Sequence, residues 1–161
     1  MGILLIIFLF NLVNSNKVLI TETANDCPDH WLDADSVYMG CLLINRTVPM
    51  SWLEANKYCQ FVEEAALIEI HTPEQLDFIR MELNTIEEYI GAANYWTGGT
   101  DIGREGKWFW ISSLSIVEDF AAGISNQGFA ANCHTLWANY DYSNGDIPCE
   151  HTLYPICQKI M

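Results

Sequence analysis

The sequence predicts an α+β domain, and three observations lead there. Runs of β-branched and apolar residues alternate with two stretches of helical spacing, in the order strand, helix, strand, helix, then strands and loops. Both helical stretches open on a capping signature. Half of the 161 residues are hydrophobic and 12% are aromatic, enough for one domain with a real core and too apolar for a globally disordered chain.

Residues 1–15, MGILLIIFLFNLVNS, carry an apolar run from Ile3 to Phe10 that Leu12 and Val13 extend. A membrane span needs about 20 such residues, so this stretch reads as a signal peptide with small Ser15 at the cleavage position. Residues 16–26 form a polar lead, and the folded domain is expected over 27–158. An exported chain with an even six cysteines is expected to use them as three disulfides.

The domain opens at Cys27-Pro28-Asp29-His30-Trp31. Val37 to Ile44 reads as a strand. Asn45-Arg46-Thr47 is an N-glycosylation acceptor, the only one in the chain. Ser51 and Glu54 form a capping box, so a helix starts near Trp52, with Ala55, Cys59 and Val62 on its inner side. Ala66 to Ile70 is the next strand. Thr72-Pro73-Glu74-Gln75 is a second capping box with proline at the first helical position. Leu76, Ile79 and Leu83 mark the buried face of that helix, which should fade by about Glu88. Tyr95 to Asp101 is a strand entering a turn, and Trp108 to Trp110 an aromatic strand leaving one. Ile111 to Ala131 has no clear period and reads as a long loop, either functional or disordered. Cys133 to Trp137 and Tyr154 to Cys157 are the closing strands, with a turn-rich polar segment between Cys133 and Cys149.

These residues resemble the C-type lectin-like domain family in its long form, in wording close to arthropod lectins. The likeness is carried by Cys27-Pro28-x-x-Trp31, Trp52-x-Glu54-Ala55 with Tyr58-Cys59, and Ala65-x-Leu67-x-x-Ile70. It continues through Trp96-Thr97-Gly98-Gly99-Thr100-Asp101, Glu105-Gly106-Lys107-x-x-Trp110, Asp146-x-Pro148-Cys149 and Ile156-Cys157. It spans Cys27 to Gln158. The resemblance implies the disulfides Cys27–Cys41, Cys59–Cys157 and Cys133–Cys149. In the chain-entropy model the loop closed by the last is worth about 3 kcal/mol, and the long Cys59–Cys157 loop about 5 kcal/mol.

The resemblance also implies sugar binding through calcium, which takes six to eight hard oxygen ligands. The family draws them from a Glu-Pro-Asn or Gln-Pro-Asp triplet, a Glu before a cysteine, and a Trp-Asn-Asp triplet. Here these align with Ile124-Ser125-Asn126, Ala131 and Asn144-Gly145-Asp146. Only Asn126 and Asp146 keep a ligating side chain. The family's cis proline is Ser125, and a cis bond without proline costs about 3 kcal/mol, so the loop is expected to run differently. With this ligand set no cofactor is expected and no calcium is expected to be held at this site. The family's auxiliary site would use Asp101 and Glu105 with Asn132, but acids beside Gly103 and Gly106 read first as turn caps.

The net charge of −14 excludes nucleic acid and anionic membrane as partners, because phosphate contacts need a basic patch. His30, His71, His134 and His151 are scattered and carry no zinc spacing. No nucleophile–base pair or phosphate loop is legible, so no enzyme is expected. Trp96, Trp108, Trp110 and Trp137 sit on strands and are assigned to the core. Tyr140, Tyr142 and Phe129 are assigned to exposed contact, and Asp141, Asp146 and Glu150 form a local acidic group. The expected protein is a secreted, extracellular recognition module of innate defence, monomeric or weakly self-associating. It meets a glycan through Asn126, Tyr140, Tyr142 and Asp146, or else binds an extracellular protein on the same scaffold.

Overall fold

The computed structural model describes residues 27–118 and 130–160. The expected signal peptide and polar lead, and the loop residues Ile124, Ser125, Asn126 and Phe129, lie outside the described residues.

The elements run β1 (Leu32–Asp33), β2 (Cys41–Ile44), α1 (Trp52–Phe61), β3 (Ala66–Leu67), α2 (Pro73–Ile90), β4 (Tyr95–Thr100), β5 (Phe109–Trp110), β6 (Cys133–Trp137), β7 (Ser143–Ile147) and β8 (Tyr154–Lys159). The strands are ordered β1-β2-β8-β4-β6-β7, with β3 on β8 and β5 on β4. Strand β8 is the hinge of this arrangement: it pairs antiparallel with β2 and parallel with β4. The class is α+β, as expected.

Strand β4 is buried along its whole length, since the two helices cover opposite faces of it. Tyr95 points into the cluster built on Leu76, Ile79 and Leu83 of α2. Trp96, one residue on, points into the cluster built on Trp52, Ala55 and Cys59 of α1. Each buried indole on the α1 side is satisfied by a carbonyl. Trp52 Nε1 donates to Thr97 O and Trp96 Nε1 to Met50 O, both at 2.8 Å.

The capping box at Ser51 and Glu54 forms as expected, each side chain receiving the other's backbone N–H. The second signature works differently. Thr72 accepts from Gln75 N, but Gln75 Oε1 turns to His71 N at 2.7 Å, and its amide donates to Val37 O. Gln75 therefore fastens the turn before the helix rather than closing a reciprocal cap.

All three disulfides implied by the family likeness are present: Cys27–Cys41, Cys59–Cys157 and Cys133–Cys149. Cys59–Cys157 joins α1 to β8.

Several boundaries move. The strand expected from Val37 begins only at Cys41, because Asp35–Val37 is a 3-10 turn and Tyr38 takes φ 60 and is exposed. Of Ala66–Ile70 only the first two residues pair as strand. Val62 is exposed because α1 ends at Phe61 and leaves it at the C-cap. Helix α2 runs to Ile90 and stops at Gly91, φ 81. The largest correction is β7: the polar segment between Cys133 and Cys149 is a hairpin, Cys133–Trp137 against Ser143–Ile147.

Candidate functional site

The β6–β7 hairpin and the turn after β4 place the residues on which the family's site would be built. Side chains alternate across a strand, so β7 divides them. Asn144 and Asp146 face the α2 side together with His134 and Leu136. Ser143, Gly145 and Ile147 face the α1 side with Thr135 and Trp137.

On the α2 side lies a buried polar group. His134 and Thr97 are both inaccessible, and Thr97 Oγ1 and His134 Nδ1 are 2.6 Å apart. The Trp108 and Trp110 rings stand edge-on to the imidazole, at 6.2 and 5.8 Å. Gly99 makes the room: a Cβ there would meet His134 Cβ at 2.8 Å. His134 Nε2 faces the Asn144 carboxamide, yet neither Nε2 nor Asn144 Oδ1 completes a hydrogen bond among the described residues. Burial lowers the imidazole pKa to about 3, against the opposing effect of the Asn144 carboxamide. The pair is wholly buried, and among the described residues no carboxylate hydrogen-bonds the imidazole to orient it.

Asp101, Glu105 and Asp146 lie at the edge of this group. Asp101 is buried and works as a turn cap: its Oδ2 accepts from Gly106 N at 2.8 Å and its carbonyl from Arg104 N. The carbonyl of Asn132 takes Asp101 N and Thr100 Oγ1. Desolvation first, then the charges of Asp101 and Asp146, push the Glu105 carboxyl above its ordinary pKa. Among the described residues no three His, Cys, Asp or Glu are arranged to hold a metal ion.

The family's calcium requirement does not fit the residues on β7 and before β6. Ala131 is buried and has no side-chain oxygen. Gly145 is covered: a Cβ added there would lie 1.9 Å from Trp137 Nε1 and 2.2 Å from its Cδ1. The indole occupies the space into which a ligating side chain at 145 would grow. Asp146 is 2% exposed and points to the other face.

Of the expected contact residues, Asn126 lies outside the described residues, and Tyr140, Tyr142 and Asp146 are not brought together on one surface. Tyr140 is 71% exposed, on the 3-10 turn Ala138–Tyr140 after β6. Tyr142 is a correction: it is fully buried in the α2 cluster and donates to Glu87. Asp146 is a correction in the same sense, buried rather than presented to a ligand. The acidic group is also split. Asp141 is exposed and accepts from Asn84 Nδ2 at 2.9 Å, while Asp146 sits near Glu105. Trp96 and Trp110 are core residues as expected, but Trp108 and Trp137 are only partly buried. Asn45 is 8% exposed, with its Oδ1 accepting from Thr47 N and Thr47 Oγ1, so the glycosylation acceptor is enclosed.

The fold and these motifs match the lectin C-type domain family over residues 48–159. The chain belongs to the C-type lectin-like family. It is 33% identical over 100 residues to human C-type lectin domain family 10 member A, an alignment covering 62% of this chain and 26% of that protein. This chain thus spans about a quarter of that relative's length. It is 28% identical over 140 residues to the type-2 ice-structuring protein of Osmerus mordax, covering 86% of this chain and 74% of the relative. Among solved structures, the C-type lectin domain of murine dendritic cell inhibitory receptor 2 in complex with N-glycan superposes with a TM-score of 0.68 at 27% identity, covering 84% of this chain and all of that one.

Proposed function

We propose that this chain is a secreted, non-enzymatic recognition module that binds glycan without calcium. The observation that carries this reading is the covering of Gly145 by the Trp137 indole, together with an alanine at 131, which leaves two of the family's ligand positions without a side-chain oxygen. The N-glycan held by the murine receptor domain supports glycan as the ligand class on this scaffold. The apolar run at Ile3–Phe10 supports export, and innate defence is the setting we assign. No helix among the described residues is long and apolar enough to cross a membrane.

A protein ligand is the second reading, favoured by one feature. Leu114 and Ile116 are 72% and 76% exposed on a tip fixed by buried Glu69, whose Oε1 accepts from Ser112 N and Ser113 N. Function lives in the site rather than the fold, so one scaffold serves either ligand.

The test is a thermal melt in millimolar calcium and in EDTA, followed by a glycan array in EDTA. Coincident melts and array hits are expected. Calcium saturating a site at about 100 times its Kd would add about 2.7 kcal/mol, a shift of several degrees that would overturn the reading. An empty array would leave the protein-ligand reading standing.

A further inference from the structure

Trp137 is the diagonal neighbour of Gly145 across the hairpin, since Trp137 faces Ser143 and Thr135 faces Gly145. An aromatic laid across a strand glycine covers a bare backbone, and that alone would be a packing device. Three further observations give it a surface role. The ring is only partly buried, so it rests on the second core cluster and still meets solvent. The chain beyond it is held in place: Ala138 N donates to Asn94 Oδ1 at 2.9 Å and Asp141 N to Ala138 O. That fixed turn presents Asn139 and Tyr140 to solvent within three residues of the indole, and Ser143 lies directly across the ladder.

We propose that Trp137, seated on Gly145, is the stacking platform for a neutral pyranose. The inference rests on the glycan reading above and names the residue and the ligand class. The indole takes the apolar C–H face of the ring, and the amide and hydroxyls beside it meet sugar hydroxyls. A platform locked by its glycine and its turn loses little freedom on binding. The charge of −14 selects against sialylated or sulfated ligands, which leaves neutral hexoses.

The experiment titrates wild-type protein in EDTA with the best neutral glycan from the array, alongside W137A, W137F, G145N and the remote control Y89A. W137A is expected to bind at least about tenfold more weakly, W137F to recover part of the loss, and Y89A to match wild type. G145N is expected to weaken binding with no change to any polar contact residue, because its side chain displaces the indole. Wild-type affinity in W137A would overturn the platform while leaving the glycan reading intact. No neutral glycan bound by wild type would remove the glycan reading and the platform with it. If W137A does not fold, the indole N–H resonance of Trp137 in the wild type decides. A shift on saturation with the glycan supports the platform, and an unmoved resonance overturns it.

Discussion

The Tyr142 hydroxyl donates to Glu87 Oε2 at 2.8 Å, fastening the start of β7 to the last turns of α2. The ring is wholly buried, and its backbone sits at φ 50 directly after Asp141 at φ 53. Two consecutive left-handed residues without glycine are held by this anchor rather than by local preference. Tyr142→Phe is expected to lose about 1.5 kcal/mol in urea unfolding, the usual worth of a hydrogen bond to a charged acceptor. Burial first, then the bond to Glu87, raises the phenol pKa above its ordinary value. The stability tied to the neutral phenol is therefore complete below about pH 10 and is lost as pH rises further. Above that pH the gap between wild type and Tyr142→Phe should narrow; a constant gap would contradict the linkage.

His134 makes stability depend on pH in the opposite direction. Its pKa falls from 6.5 to about 3 on folding, chiefly through burial. As pH drops below the unfolded value the unfolded chain takes up a proton that the folded chain refuses. Stability from this residue is complete above about pH 6.5 and declines toward pH 3, by up to about 1.4 kcal/mol per unit. Urea unfolding at pH 7 and pH 4 checks this against His134→Val. The variant starts less stable at pH 7, and its decline with acid should be visibly shallower. Parallel declines would show that the imidazole is not the group titrating.

Glu69 is 7% exposed and its carboxylate is fully engaged, Oε1 with Ser112 N and Ser113 N and Oε2 with His71 Nε2 at 3.1 Å. Glu69→Ala leaves two backbone donors without their acceptor, at a cost of about 2–3 kcal/mol. Amide exchange localises the loss: Ser112 and Ser113 should exchange faster in the variant while β8 amides stay protected. Unchanged exchange at both serines would mean the turn holds without Glu69.

The Asn45-Arg46-Thr47 acceptor is committed to the fold at every residue. Asn45 N donates to Pro155 O, Asn45 Oδ1 accepts twice from Thr47, and Arg46 donates to Gly91 O while lying 5.2 Å over the Tyr154 ring. A glycan on the enclosed carboxamide would have to open this turn. Protein secreted from a glycosylating host is expected to carry unmodified Asn45 in its folded fraction. Intact mass before and after enzymatic deglycosylation measures this, and a mass loss traced to Asn45 in well-folded protein would refute it.

Much of the scaffold was legible because its signals are local or paired. The Ser51–Glu54 box set the start of α1, and Leu76, Ile79 and Leu83 recur at helical spacing and do face the core. The site was less legible. Ser143-Asn144-Gly145-Asp146-Ile147 has almost no strand preference of its own and becomes a strand by pairing with β6. Once it pairs, the strand is buried on both faces from Asn144 to Ile147, so Asp146, read as a loop contact, turns inward; Tyr142, just before the strand, is held inward by its bond to Glu87, while Tyr140 on the preceding turn stays outside.

The sequence alone determined the α+β class, both helix starts, the absence of side-chain oxygen at Ala131 and Gly145, and a net charge of −14. Each of these is a property of single residues or short windows. Only the tertiary structure decided that Trp137 fills the space beside Gly145, that His134 is buried neutral against Thr97, and that Asn45 is enclosed. Those facts depend on strand register and on contacts between residues far apart in the chain. A glycine in a sequence states only that a side chain is missing. The cross-strand neighbour, fixed by the ladder, decides what takes its place.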